Sequence, residues 1–339
     1  MNQIRIIQPG ILTTIQDLGR YGFQQYGVPI SGAMDSYSLK LANILVGNDI
    51  NEACLEITMI GPSIEFNHNT AIAITGANIT PKVNGNKVNM YETIYVKPGD
   101  ILTFGELISG FRTYLSILGG FDVRVIMGSK STYTRGNIGG YKGRKLAKED
   151  IIKVNAVNKI VAKRKIPDYL IPKYSQEETI RVILGPEDAS FTDDGIKTFL
   201  NSEFIVSDNF DRMGYKLNGP KIEHKSKADI ISTGISIGTI QVPGNGQPIV
   251  MLSDKQTTGG YTRIANVITT DISKFGQMKS GDKIKFEKIE LKDAQALLLK
   301  QQKDLNELIE LFNQVENGRL KHYLVTVNNK EYNVIIEEC

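Results

Sequence analysis

Amide and carboxylate side chains cluster in one glycine-rich run of the chain, from Gln241 to Tyr261. Asn245, Gln247 and Gln256 can each donate and accept hydrogen bonds, whereas Asp254 accepts them only when it is ionised. A planar amide or urea presents N–H donors beside a C=O acceptor, so these side chains are suited to bind one. The same groups could instead satisfy backbone at the ends of the short apolar strand between them. We favour function, because so many polar groups stand among turn residues.

A second polar run lies near the N-terminus, where glycines alternate with Gln16, Asp17, Arg20 and Asp35. Glycine allows a loop to approach a partner closely, and such loops often carry function. The alternative is that Asp17 and Arg20 pair with each other to hold a turn. On this run alone, the structural interpretation is favoured.

A third run, residues 128–144, combines glycines and basic residues with the hydroxyl groups of Ser129, Ser131 and Thr132. Hydroxyls, free backbone N–H groups and basic side chains can together cradle an anion such as a carboxylate or phosphate. The run lacks the GxxxxGK[ST] spacing of a P-loop, so nucleotide binding is not supported. A loop whose glycines only permit tight packing is an equal alternative.

Composition excludes several other classes of protein. The 339 residues carry 40 basic and 37 acidic side chains, a balance unlike that of a dedicated nucleic-acid binder. Two cysteines and three well-separated histidines predict neither a disulfide scaffold nor a metal site. No GxSxG elbow is present for a serine nucleophile. The N-terminus does not resemble a signal peptide, and no apolar run is long enough to span a membrane, so we expect a cytoplasmic protein.

Short runs rich in Val, Ile, Thr and Tyr, broken by turn residues, predict a mostly-β fold of the barrel or sandwich kind. Asn84-Gly85 is the strongest hairpin signal, because both residues tolerate positive φ angles. A turn ending in Asp recurs at residues 97–100, 147–150 and 279–282. These turns mark either related modules or ordinary turns of a β protein.

Helices are predicted at residues 36–46, with Asp35 or Ser36 as N-cap, at 188–200 and at 291–315. A basic segment with two prolines predicts a linker at residues 158–178. The tail is expected to form a hairpin that turns at Asn328-Asn329.

Five segments in order give the chain a family resemblance. They are TTIQDLGRYG, SGAMDSYSLKLANILVGN, GSKSTYTRG, DRMGYKL and GTIQVPGNGQPIVMLSDKQTTGGY. The chain resembles the biotin-dependent carboxyltransferase / allophanate hydrolase subunit 2 family from residue 9 to residue 286. This family includes the C subunit of 5-oxoprolinase, the carboxyltransferase half of urea carboxylase, and the KipA antagonist of the kinase inhibitor KipI.

The resemblance implies a fold of two cyclophilin-like β-barrel modules with a few short helices and a C-terminal helix. The expected division is a first module at residues 1–157, the linker at 158–178, a second module at 179–290, and a C-terminal helix and hairpin tail at 291–339. It also implies a partner, the KipI-like B subunit of 5-oxoprolinase, together with a LamB/YcsF-type protein as the A subunit of that enzyme.

The resemblance also implies which residues form the site. Gln16, Asp17 and Arg20 match the first family motif, and Asp35 matches the second. The last motif is matched by Asn245, Gln247, Asp254, Gln256, Thr257, Gly260 and Tyr261. We take Asp254, Asp17 and Arg20 as catalytic candidates, and the others as substrate-binding candidates together with the anion loop of Ser129, Ser131 and Thr132. The chain departs from the family at Thr233, where members often have an acid.

The leading hypothesis is the C subunit of an ATP-dependent 5-oxoprolinase, which opens the lactam of 5-oxoproline to glutamate. ATP would be used by the complex, since this chain has no ATP-binding motif. One alternative is a carboxyltransferase component that moves carboxylate from carboxybiotin to urea or a related amide. A third is a non-catalytic KipA-like antagonist of a KipI-like kinase inhibitor.

Overall fold

The computed structural model describes residues 2–157, 161–316, 320–327 and 330–337. The strands before residue 158 are β1 (Gln3–Gln8), β2 (Leu12–Gln16), β3 (Cys54–Thr58), β4 (Ser63–Phe66), β5 (Thr70–Asn78), β6 (Pro81–Val83), β7 (Asn86–Lys87), β8 (Thr93–Val96), β9 (Ile101–Phe104), β10 (Ser109–Ile117) and β11 (Ile151–Lys153). The later strands are β12 (Glu177–Leu184), β13 (Glu203–Phe210), β14 (Gly214–Asn218), β15 (Asp229–Gly234), β16 (Thr239–Gln241), β17 (Ile249–Met251), β18 (Thr258–Tyr261), β19 (Arg263–Val267), β20 (Lys283–Lys288), β21 (Leu320–Val327) and β22 (Lys330–Glu337). The α-helices of the described residues are α1 (Ser36–Leu45), α2 (Asp193–Asn201), α3 (Thr269–Gly276) and α4 (Leu291–Glu316). The mostly-β class with few helices is confirmed.

The strands before residue 158 form two sheets, with the orders β11-β1-β4-β9-β6-β7 and β2-β3-β10-β5-β8, and are called the first module below; the elements from β12 to β20 are called the second module. Isoleucines from both sheets, such as Ile6, Ile57 and Ile74, are fully buried in one cluster. The second-module strands close into a seven-stranded barrel in the order β12-β19-β16-β17-β14-β13-β20, and β12 and β20 pair in parallel. The barrel therefore closes only when the last of these strands, β20, is added.

The two modules share core residues rather than merely touching. Met34, which precedes α1, is 2% exposed and packs in the apolar cluster of the barrel. Gly276, at the end of α3, lies so close to the Met34 carbonyl oxygen that an added Cβ would be 2.6 Å from it. The two modules are therefore in close contact around Met34 and Gly276.

The segment between the modules packs on the first one. Val161, Ile166 and Leu170 are buried in an apolar cluster that also contains residues of α1, β5 and α4. The backbone N–H of Thr93 donates to the Arg164 carbonyl at 2.9 Å, and the Thr93 hydroxyl accepts the Arg164 backbone N–H at 3.0 Å. The predicted linker is thus a strap held by apolar contacts, whereas residues 158–160 lie outside the described residues.

The recurring turn has the same geometry at all three places. The carboxylate of its last residue accepts a hydrogen bond from the backbone N–H of the residue three positions earlier. The distances are 2.8, 2.7 and 2.9 Å for Asp100, Asp150 and Asp282. Its third residue lies in the left-handed region, as Gly99 (φ 87°), Glu149 (φ 66°) and Gly281 (φ 88°). Each turn also exchanges backbone hydrogen bonds with one neighbouring-strand residue, which is Phe66, Ile6 or Val206 respectively. This shared geometry favours the interpretation that the turns mark related modules.

Most predicted local elements are present. The hairpin turns at Asn84 and Gly85, whose φ angles are 51° and 80°. Asp35 caps α1 by accepting the backbone N–H of Ser38. α4 runs to Glu316, and β21 pairs with β22, although the predicted turn at Asn328-Asn329 lies outside the described residues. The helix predicted from residue 188 begins only at Asp193, after a short 3-10 turn at Asp188–Ser190.

Candidate functional site

A buried network of charged side chains lies where the two modules meet. Arg212 of the barrel donates from Nε and Nη2 to the carboxylate of Asp254, at 2.9 and 3.2 Å. Through Nη1 the same guanidinium binds Glu56 of β3, and through Nη2 it also donates to the Gly32 carbonyl at 2.6 Å. Burial lowers the pKa of Arg212, but attraction to Asp254 and Glu56 outweighs burial and holds the pKa above its usual value. The arginine therefore joins carboxylates from both modules.

Tyrosine and arginine side chains surround this ion pair. Tyr114 donates its hydroxyl to Glu56 at 2.7 Å, and Arg112 donates to the Tyr215 hydroxyl at 2.7 Å. Burial, followed by repulsion from Glu56, raises the pKa of Tyr114 well above its ordinary value, which keeps the hydroxyl a donor. The Glu56 carboxylate is thus fixed on several sides, as a buried charge requires.

Asp35 lies at the same interface, but its contacts are structural. Its carboxylate accepts Ser38 Oγ at 2.7 Å and Gln277 Nε2 at 2.7 Å. Gln277 Oε1 in turn accepts the backbone N–H groups of Phe111 and Arg112. Burial raises the pKa of Asp35. The side chain predicted to bind substrate therefore begins α1 and joins α1 to the barrel.

Asp17 organises the predicted anion loop. Its carboxylate accepts the hydroxyls of Ser129 and Ser131, at 2.7 and 2.5 Å, and the backbone N–H of Lys130 at 2.6 Å. Thr132 donates its hydroxyl to the Ile15 carbonyl at 2.9 Å. These hydroxyls are therefore directed inward and hold the loop, rather than being free to cradle an anion.

Arg20 lies beside this loop and is fully buried. Its Nε donates to the Ile126 carbonyl at 3.2 Å and its Nη2 to the Ser131 carbonyl at 2.7 Å. The alternative that Arg20 pairs directly with Asp17 is not what the structure shows, since both donors go to carbonyl oxygens. Gln16 is also buried and donates to the Thr132 carbonyl at 3.1 Å.

The predicted planar-amide set is divided between two places. Asn245, Gln247 and Tyr261 line an open cavity of about 690 Å³ on the barrel, whereas Asp254 is buried at the module interface and Gln256 is exposed. The Gln247 carboxamide both accepts from and donates to the backbone of Gly219, at 2.9 and 3.0 Å, so its amide is already used. Asp254 and Gln256 are therefore not among the residues that line this cavity with Asn245, and Asp254 turns inward to Arg212.

The remaining candidates lie on or before an exposed two-stranded ribbon. Gly260 and Tyr261 belong to β18, which pairs with β15, and Thr257 precedes it. Thr233 is exposed and lies opposite Gly259. The ribbon therefore brings position 233 next to the last family motif.

Four residues of the network were not singled out from the sequence, namely Glu56, Arg112, Arg212 and Gln277. Glu56 and Arg112 stand inside apolar strands, where a charge is unusual, and that was an available signal. Arg212 is within the DRMGYKL segment. Nothing local distinguishes Gln277. Among the described residues, no group of three His, Cys, Asp or Glu is placed to hold a metal ion.

Comparisons with known proteins identify the family of the chain. The sequence model of the family described as "Carboxyltransferase domain, subdomain A and B" matches residues 26–288, and the chain belongs to this family. It is 37% identical to the C subunit of 5-oxoprolinase from Escherichia coli K12 over 291 residues, which cover 86% of this chain and 93% of that protein. It is 38% identical to urea amidolyase of Saccharomyces cerevisiae over 315 residues, covering 87% of this chain and 17% of that protein. The crystal structure of the K. lactis urea amidolyase matches with a TM-score of 0.86 and 34% identity, over 90% of this chain and 20% of that one.

In the part of the chain that the structure describes, no helix is both long and apolar enough to cross a lipid bilayer.

Proposed function

We propose that this chain is the C subunit of a 5-oxoprolinase. The observation that carries the proposal is the match to nearly the whole length of a relative of that name, at 37% identity over 93% of it. The chain spans only 17% of urea amidolyase, so the activity of that larger protein is less directly transferable. In the complex, the KipI-like B subunit and the LamB/YcsF-type A subunit would supply what this chain lacks, including the use of ATP.

In this proposal, the chemistry of the chain centres on Asp254. A carboxylate offers about four acceptor sites, and Arg212 occupies one on each oxygen of Asp254. The remaining sites can accept the lactam N–H of 5-oxoproline. Because Arg212 is itself held by Glu56, the Asp254 carboxylate is fixed in one orientation before substrate arrives, which is how binding groups are made effective. Asp254 is only 4% exposed, so the partner proteins have to complete the site and open the path to it.

The test is reconstitution of the three subunits, followed by measurement of glutamate released from 5-oxoproline with and without ATP. We expect ATP-dependent release only when all three subunits are present. Asp254→Asn should lower kcat by at least about tenfold, the size of effect expected when a positioning or acid–base group is lost. Asp229→Asn, an exposed carboxylate on β15, is the matched control. The absence of turnover with the complete set of subunits would contradict the proposal.

Biotin-dependent carboxyl transfer is the second candidate, and a specific observation favours it. The solved structure that matches with a TM-score of 0.86 is that of a urea amidolyase. The ureido ring of biotin is a planar urea, and the barrel cavity of about 690 Å³ is lined by Asn245, Asn218 and Tyr261, whose side chains can hydrogen-bond to such a ring. When bound there, carboxybiotin would supply the carboxyl group, while these residues would orient the ring.

Transfer of labelled carboxylate from carboxybiotin to urea distinguishes the two candidates. Transfer that is lost in Asn245→Ala, without any ATP-dependent glutamate release, would favour carboxyl transfer. Failure with urea and a panel of related amides would leave 5-oxoprolinase as the function.

A further inference from the structure

Arg20 is a buried cation without a buried anion in contact with it. Its side chain is fully buried, and its two engaged nitrogens donate to the carbonyl oxygens of Ile126 and Ser131. Arg212, by contrast, holds two carboxylates directly. A buried guanidinium that contacts only neutral carbonyls is costly, because its charge has left water without an ionic partner.

The third nitrogen of this guanidinium is unused. Nη1 of Arg20 is buried and has no hydrogen-bond partner, which leaves two N–H groups unsatisfied. The hydroxyl of Ser31 is a second buried group without a partner, and it belongs to the residue after Ile30, whose carbonyl accepts the Arg20 backbone N–H at 2.7 Å. Buried polar groups without a partner are rare in folded proteins, and each needs an explanation, such as a bound ligand or ion.

The electrostatic surroundings leave Arg20 short of negative charge. Burial lowers the pKa of Arg20, and attraction to Asp17 and Asp254 opposes the lowering without reversing it. Asp17 directs its carboxylate to the hydroxyls and backbone of residues 129–131 instead. A monovalent anion at Nη1 would therefore receive both hydrogen bonds and charge neutralisation, and charge-assisted bonds of this kind are among the strongest in proteins.

We propose that Nη1 of Arg20 binds a small carboxylate, namely the carboxylate of the substrate at the proposed 5-oxoprolinase site. The inference rests on the proposed function for the identity of that substrate. Bicarbonate, which carboxyl transfer would involve, could bind Arg20 through the same kind of carboxylate group. The turn at Met127 and Gly128, whose φ angles are 52° and 75°, lies next to the Ile126 carbonyl that holds Arg20, and we infer that the ligand approaches Nη1 from this side.

Equilibrium binding to the reconstituted complex of the three subunits, without ATP, tests the proposal at constant ionic strength. The probes are 5-oxoproline, bicarbonate and 2-pyrrolidinone, a neutral lactam without the carboxylate. We expect 5-oxoproline to bind at least tenfold more tightly than 2-pyrrolidinone. Arg20→Gln should lose that tenfold preference, whereas Arg124→Gln, at an exposed arginine two residues before Ile126, should keep it. Equal binding of the lactam and the acid, or an unchanged preference in Arg20→Gln, would overturn the proposal. If only bicarbonate binds tightly, the site instead holds the carboxyl group that is moved in carboxyl transfer.

A second measurement on the unmodified chain covers the case in which Arg20→Gln does not fold. The side-chain nitrogen resonances of Arg20 should shift on saturation with 5-oxoproline and remain unchanged with 2-pyrrolidinone. A crystal structure at saturating 5-oxoproline with only water at Nη1 would refute the assignment.

The outcomes that test this inference are separate from those that test the proposed function. A reconstituted complex that releases glutamate with an unchanged KM in Arg20→Gln rejects this inference alone, and carboxylate binding without any turnover rejects 5-oxoprolinase alone.

Discussion

Arg212 neutralises two carboxylates that lie far from it and from each other in the sequence. Its partners Asp254 and Glu56 are 42 and 156 residues away in the chain, and all three side chains are at most 8% exposed. Removal of one member of a buried ion pair leaves the other charge without compensation. Loss of the Arg212 guanidinium would therefore leave two buried carboxylates at the interface without compensation.

We predict that Arg212→Met lowers the free energy of unfolding by about 3–5 kcal/mol, the usual cost of breaking a buried pair. Arg135→Met provides the control, since its ion pair with Asp211 also joins the two modules but is more than half exposed. That variant should lose at most about 1 kcal/mol. Urea denaturation at neutral pH measures both. Equal losses for the two variants would show that the buried network contributes no more than a surface pair.

At the residue scale, sequence reasoning identified the motifs but not their contacts. Asp254 was assigned to a planar-amide set because it lies among amide side chains, yet it turns inward to a guanidinium far away in the chain. Asp17 and Arg20 are both buried at one place, but each binds the loop of residues 126–131 rather than the other. Composition and spacing reveal which residues are polar and clustered. Which side chains bind each other depends on packing between distant parts of the chain, and no local sequence pattern encodes that packing.

The recurring turn shows how one local element is built in the same way at three places in the chain. In each copy, an aspartate accepts the backbone N–H three residues earlier, and the residue before it is left-handed. Glycine takes this conformation without strain, whereas other residues lose about 1–2 kcal/mol. The copy with Glu149 in place of glycine therefore stores strain that the other two copies avoid.

Gly281→Ala is predicted to lower the free energy of unfolding by about 1–2 kcal/mol. A Cβ at this position would meet no atom within 4 Å, so the whole cost is that of the left-handed backbone at φ 88°. Gly234→Ala is the matched control, because its added Cβ also meets nothing and its φ is not positive. Chemical denaturation should show a loss only for Gly281→Ala. A comparable loss in both variants would contradict the backbone explanation.

Local elements were the most predictable part of the fold. The Asn84-Gly85 hairpin, the Asp35 cap of α1 and the aspartate turns are all specified by residues within a few positions of each other. Helix α3 was missed, because Thr269–Gly276 is short and contains weak helix formers. It is stabilised by tertiary contacts, such as the hydrogen bonds of Asp271 to Arg181 of β12.

At the scale of the whole molecule, helix α4 connects the end of the barrel to the first module. The family match ends at residue 288, so this helix lies beyond it. Leu305, Leu308 and Phe312 pack in the cluster formed by α1, β5 and the strap between the modules. The Arg164 guanidinium also lies 5.1 Å from the centre of the Phe312 ring. The helix therefore covers an apolar face that would otherwise meet water.

We expect Phe312→Ala to lower the free energy of unfolding by about 3–5 kcal/mol, through lost burial and the cavity left behind. Leu299→Ala, on the same helix at a position 71% exposed, should change it by at most about 0.5 kcal/mol. Thermal and urea unfolding of both variants provide the comparison. If Phe312→Ala proves as stable as Leu299→Ala, α4 does not contribute to the folded core.

The placement of Met34 in the barrel cluster has a consequence for synthesis on the ribosome. Its side chain is made early, but the barrel that buries it closes only with β20, which ends at Lys288. At typical translation rates of about 5–20 residues per second, that interval lasts roughly ten to fifty seconds. During this time the segment around Met34 has no permanent binding site on the nascent chain. The segment is therefore exposed to chaperones during this interval, and it reaches its native packing only after β20 has been made.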